Sequence, residues 1–197
     1  MTIAALSSDI RACRICADRF AATQTAHEPR PVVWIGSSTP RILIAGQAPG
    51  ARVHASGRPF SDPSGDRLRA WMGITEAEFY DRTSIAIVPM AFCFPGYDAK
   101  GSDLPPPKVC AHTWRAAVFQ ELGRIPLTLL VGGYAQVWHL GGRASVESRV
   151  AAWRETAPTV FPLPHPSWRT TGWRRRNPWF ETDLLPALRS RVAGVLG

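Results

Sequence analysis

Four short apolar runs, separated by stretches of helical periodicity, constrain the fold of this chain more than any other feature. Residues 41–45, 85–90, 127–131 and 160–163 are, apart from Arg41 and Thr128, apolar throughout rather than alternating, the pattern of strands buried on both faces of a parallel sheet. Between and after them the spacing predicts helices. Residues 64–72 form one, with Ser64 as its N-cap and Leu68, Trp71 and Met72 on one face. Residues 107–122 form another, turning Val109, Trp114, Val118 and Leu122 inward, and further helices cover 146–155 and 177–196. Residues 1–40 are mixed and turn-rich, broken by Pro29, Pro31, Gly36 and Pro40. The alternation implies a three-layer α/β/α sandwich around a mostly parallel, four-stranded central sheet.

A chain of 197 residues suits a single domain spanning 1–197. A fold of that size buries roughly 70% of its unfolded surface, so it needs neither disulfide nor metal merely to stay folded. With 45% hydrophobic and 19% charged residues, it is neither disordered nor fibrous. No apolar run approaches the roughly 20 residues that span a bilayer. Residues 1–12 include Asp9 and lack the basic end and apolar core of a secretory leader. These features predict a cytoplasmic monomer with no membrane partner.

In parallel sheets of this kind the working site lies beyond the carboxyl ends of the strands. Three segments converge there: 46–50, 89–96 and 164–168. The first, Gly46-Gln-Ala-Pro-Gly50, is neither a G-x-G-x-x-G nor a P-loop, which argues against nucleotide-cofactor binding. Net charge points to the partner. The formal charge is +8, and because Lys100 and Lys108 are the only lysines, arginine supplies nearly all of the positive side chains. Arginine makes forked contacts with phosphate and stacks on aromatic rings. After His165, Trp168 and Trp173 interleave with Arg169, Arg174, Arg175 and Arg176 on a predicted loop, supplying phosphate contacts and stacking or wedging surface. Nucleic acid is the partner this composition fits best.

The four cysteines fall in two pairs, Cys13-x2-Cys16 and Cys93-x16-Cys110. In a reducing compartment such pairs are more often metal or cluster ligands than disulfides. Four thiolates suit tetrahedral zinc or a [4Fe–4S] cluster. The wide separation of the pairs fits a staple between distant segments better than a self-contained zinc finger.

Together these pieces resemble the uracil-DNA glycosylase superfamily over nearly the whole chain. Gly46–Gly50 with Gly57-Arg-Pro-Phe60 resembles its first motif, and His165-Pro-Ser167 its second. The cysteines resemble, in order and spacing, the iron–sulfur ligands of the family-four and family-five branches. The resemblance implies a DNA glycosylase that flips a deaminated base into a pocket and hydrolyses its N-glycosidic bond. It further implies a structural [4Fe–4S] cluster on Cys13, Cys16, Cys93 and Cys110. Phe60 would stack on the base. His165 would donate a hydrogen bond to the departing base. Gln47, Ala48 and Met90 would complete the base site, and Ser167, Arg169, Trp173, Arg174, Arg175 and Arg176 would contact DNA.

The chain also departs from the family pattern. Gln47 stands where family four carries glutamate; it cannot ionise, so its expected catalytic role is to position a water rather than to act as an anionic base. Asp62-Pro-Ser-Gly-Asp66 resembles the D-x-S-G-D segment of family five, which makes Asp62 the expected catalytic carboxylate. Val88-Pro-Met-Ala91 replaces the segment that normally carries a uracil-reading asparagine, which brings hypoxanthine and xanthine in as further substrates. Two other functions fit less of the sequence: a catalytically silent iron–sulfur protein binding nucleic acid on the same scaffold, and a zinc-stabilised enzyme acting on a small nucleotide.

Overall fold

The computed structural model describes residues 2–197. Strands β1 (Ile42–Ala45), β2 (Ile85–Ile87), β3 (Leu127–Val131) and β4 (Val160–Leu163) form one all-parallel sheet in the order β2-β1-β3-β4. Ten α-helices flank it among the described residues: α1 (Ile3–Ala12), α2 (Ala17–Ala21), α3 (Ala51–Ser56), α4 (Pro63–Met72), α5 (Glu76–Phe79), α6 (Lys108–Glu121), α7 (Gly133–Leu140), α8 (Val146–Ala151), α9 (Thr171–Arg176) and α10 (Leu185–Leu196). None is long and apolar enough to cross a membrane.

Alternation along β1 divides the core in two. Ile42 and Ile44 pack with Leu68, Trp71 and Met72 of α4 and with Leu185, Leu188 and Val192 of α10. Leu43 faces the other way, onto Leu6 and Ile10 of α1, Val118 of α6 and Leu122 at that helix's C-cap. This is the expected three-layer arrangement, each buried Leu, Ile or Val contributing about 1.5–3 kcal/mol. Pro162 sits inside β4, which is tolerated because β4 is an edge strand paired only with β3.

Several local expectations are corrected. The helix after the first motif starts at Pro63, with Asp62 as N-cap, and Ser64 is buried in its first turn. Proline is favoured at the first helical position, and that sets the start. Val109 is exposed, because the buried face of α6 runs through Ala111, Arg115 and Val118 and Val109 lies off that stripe. The regular part of β2 ends at Ile87 rather than 90, since Pro89 has no N–H. Val88 and Met90 nevertheless donate to the Ile44 and Gly46 carbonyls at 2.9 Å, so this segment stays beside β1. Residues 146–155 divide into α8 and a 3-10 turn, Trp153–Glu155. The closing helix begins at Leu185 after a π-helical turn, Phe180–Leu184; Pro186 in its first turn withdraws a backbone donor there. The arginine-rich stretch is not a loop but a 3-10 turn, Trp168–Thr170, running into α9.

Candidate active site

A cavity of about 100 Å3 opens at the carboxyl end of the sheet. All four strands contribute to it: Gly46 to Gly50 after β1, Pro89 after β2, Val131 at the end of β3 and His165 after β4. Because β2 and β3 lie on opposite sides of β1, the chain reverses its direction of travel across the sheet here, which is where open parallel sheets leave a crevice.

Phe60 forms part of the wall in an unusual backbone conformation, with φ at +53°, a region few non-glycine residues adopt. Two neighbours hold it there. The Tyr80 hydroxyl donates to the carbonyls of Pro59 (2.9 Å) and Phe60 (3.0 Å). Gly65 lies directly behind: a Cβ there would stand 1.8 Å from the Phe60 carbonyl oxygen. The Phe60 ring meets Phe79 edge-on at 5.9 Å and reaches back towards Gly46. Strain of this kind, fixed by its surroundings, is typical of functional sites.

Asp62 enters the cavity from the N-cap of α4, where the helix dipole favours a negative charge. The Ser64 hydroxyl donates to its Oδ1 at 2.6 Å, fixing the carboxylate's orientation. Five residues further along α4, Arg67 donates to the Pro166 carbonyl at 3.2 Å and so ties the Asp62 helix to the His165 loop. His165 stands at the cavity mouth. Desolvation holds its imidazole below the usual range; Asp62 pulls it back up and Arg169 adds to the lowering. Asp103 joins the same rim. Loss of hydration raises its carboxyl, Arg169 counters this and Asp62 adds to it.

The structure therefore brings Gln47, Ala48, Phe60, Asp62 and His165 to one cavity. It places Met90 in the wall of an adjoining groove instead. Arg169, Arg175 and Arg176 are exposed, and Trp168 is 74% exposed. Arg174 is tied up in an ion pair with Glu181 at 2.5 Å. Trp173 is half-buried, packed edge-on against Trp179 and Phe180, so its ring is not free to stack on a base. Ser167 caps the 3-10 turn that carries Trp168. Sequence reasoning missed Asp103 and Arg67. Asp103 lies in the long connection between β2 and α6, where only its position in a segment tethered at a strand end could have drawn notice.

Cys13, Cys16, Cys93 and Cys110 are free thiols, each partly buried. Burial is the largest cause pushing Cys93 up to about 12 and Cys110 up to about 11; Cys110, Cys13 and Cys16 push Cys93 further the same way, while at Cys110 the Phe92 N–H donated to its sulfur pulls down and Cys16 and Cys13 push up. The four thiols thus share one neighbourhood, although no three His, Cys, Asp or Glu side chains among the described residues are arranged to hold a metal ion. By its chemistry, a set of four thiolates is the donor set of either a tetrahedral zinc site or a [4Fe–4S] cluster.

A sequence model described as the uracil DNA glycosylase superfamily matches residues 33–189. That stretch contains the whole sheet and every residue of the cavity except Val32, and members of this superfamily are DNA glycosylases acting on DNA. The chain belongs to the uracil DNA glycosylase superfamily.

Proposed function

We propose that the protein is a monofunctional DNA glycosylase that removes uracil, and more slowly hypoxanthine or xanthine, from DNA in base excision repair. The observation carrying this reading is the convergence of a carboxylate, an imidazole and an aromatic ring on one cavity at the strand ends. A volume of about 100 Å3 is comparable with the roughly 150 Å3 engineered cavity that takes up one benzene ring. It therefore favours a single-ring base over a purine.

In the reaction the bond between C1′ and the base nitrogen breaks and its electron pair leaves with the base. Water adds to C1′, and its proton passes to the base, leaving an abasic deoxyribose. Asp62, oriented by Ser64, positions that water and offsets positive charge on the sugar. The His165 imidazole, kept neutral at pH 7, donates to the carbonyl oxygen on which negative charge develops. Gln47 adds uncharged hydrogen-bonding groups and Phe60 stacks on the extruded base. Arg169, Arg175 and Arg176, with Ser167, hold phosphates beside the mouth, while the exposed Trp168 wedges the gap left in the stack. We further propose that Cys13, Cys16, Cys93 and Cys110 hold a [4Fe–4S] cluster, which would staple the α1–α2 corner to the β2–α6 connection and the first turn of α6. No step of hydrolysis runs through it.

The test is single-turnover cleavage of a uracil-containing oligonucleotide by Asp62→Asn and His165→Ala. Each is expected to lose about 100- to 1000-fold in rate while melting near the wild-type temperature. Wild-type rates in both would overturn the assignment. Salt-dependent DNA binding without turnover by the wild type would instead mark a silent protein on this scaffold.

A further inference from the structure

Beside the catalytic cavity, and sharing Gln47 and His165 with it, runs a second depression of about 740 Å3. One wall is Pro105 to Pro107; the other is α7. This helix turns Tyr134, Val137 and Trp138 outward, at the i, i+3, i+4 spacing that lines up one face. They are 44%, 52% and 44% exposed, an apolar stripe on a helix that an isolated domain would be expected to make polar. The stripe is not a loose end. Ala135 and Gln136 anchor the opposite face, and the buried Gln136 amide donates to the carbonyls of Leu130 (3.3 Å) and Leu163 (2.9 Å) at two strand ends. Trp138 is supported from inside by the guanidinium of fully buried Arg115, 5.5 Å from its ring centre.

We infer that this groove seats the nucleobase adjoining the extruded one on the same strand. The inference rests on the DNA reading above. Continuity is the first argument: Gln47 and His165 border both spaces, so a strand with one base in the cavity runs directly past the groove. Chemistry is the second. Flat aromatic and proline faces with few polar groups suit the π-face of any base and offer little to a sugar or an anion. Charge is the third: Lys108 lies on the rim, in a chain of net charge +8, where the intervening phosphate would pass. A neighbouring base still stacked in a duplex cannot enter. The groove therefore selects single-stranded or locally melted DNA.

The experiment compares two single-stranded oligonucleotides carrying one uracil, the second with baseless linkers on both sides of it. Wild-type kcat/KM is expected to fall about tenfold on the second substrate. Trp138→Ala should lose about tenfold on the first and almost nothing on the second, and Trp138→Phe should restore most of the loss. Equal activity of wild type and Trp138→Ala on the first substrate would overturn the inference, as would equal losses by Trp138→Ala on both. Binding of the same strands without uracil, followed by fluorescence anisotropy, keeps the groove separate from catalysis. There Trp138→Ala should bind more weakly only when flanking bases are present, even if no abasic product ever forms. A dimer in sedimentation that Trp138→Ala dissolves would assign the groove to a second copy of the chain and refute the proposal.

Discussion

Gly65→Ala puts the geometry of the site under direct strain. A methyl group at this position would start 1.8 Å from the Phe60 carbonyl oxygen and 2.7 Å from its carbonyl carbon. Both atoms are backbone, so no side chain can swing aside. To bring the closest contact to even 3.0 Å, α4 with its N-cap Asp62 and the 57–60 segment must separate by more than an ångström. Overpacking of this kind costs typically 1–3 kcal/mol, or about 2–12 °C in melting temperature for a chain of this length. The functional cost is larger. The separation moves Phe60 and Asp62 relative to each other, and a displacement of about 1 Å at a reacting centre can cost roughly 100-fold. Gly65→Ala should therefore remain folded by circular dichroism, melt several degrees lower and cleave a uracil oligonucleotide at least about 100-fold more slowly. Ala70→Gly, on the exposed side of the same helix, is the control and should lose stability with little change in rate. Wild-type activity in Gly65→Ala would refute the claim that the left-handed Phe60 and its close contact set the cavity.

Other perturbations test separate parts of the structure. His139 accepts a hydrogen bond from Arg115 at 2.5 Å, and burial, reinforced by that cation, holds it down to about 4. Unfolded histidine takes up its proton near 6.5, so stability should be full above that pH and decline as pH falls towards 4. Melting temperatures across this range should show His139→Gln losing less than wild type; parallel curves would contradict the assignment. Replacing Arg175 and Arg176 together by alanine should reduce the slope of log affinity against log salt by about 1 per arginine, measured by anisotropy on duplex DNA, with an unchanged slope counting against phosphate contact. Anaerobically purified protein should show a broad visible absorption band and four irons per chain, lost on changing any of the four cysteines to serine; a colourless protein with one zinc would contradict the cluster.

The layered fold was legible because four buried strands leave four short apolar runs, only Thr128 interrupting one of them, and no tertiary detail is needed to see them. Element ends were less legible. Pro63 and Pro186 decide where α4 and α10 begin through their missing N–H groups, whereas apolar spacing alone suggested Ser64 and Asn177. In the site, Gln47, Phe60, Asp62 and His165 were visible because they lie just after strands or in short motifs. Asp103 was not, since its place on the rim depends on the path of a long connection. Trp173 misled for the opposite reason: among arginines it looks like a DNA-facing ring, yet it packs against Trp179 and Phe180 in the core. The aromatic stripe of α7 looked like ordinary helix in sequence, because only the packing of Gln136 reveals which way the helix is turned.

The measurement that bears most directly on the account is strand scission by hot alkali after incubation with oligonucleotides carrying a single uracil, hypoxanthine or xanthine, each single-stranded and in duplex. Breakage at the uracil, faster in the single strand and slower or absent for the two purines, is the predicted result. Intact strands from every one of them, with folded and DNA-bound protein, would contradict it.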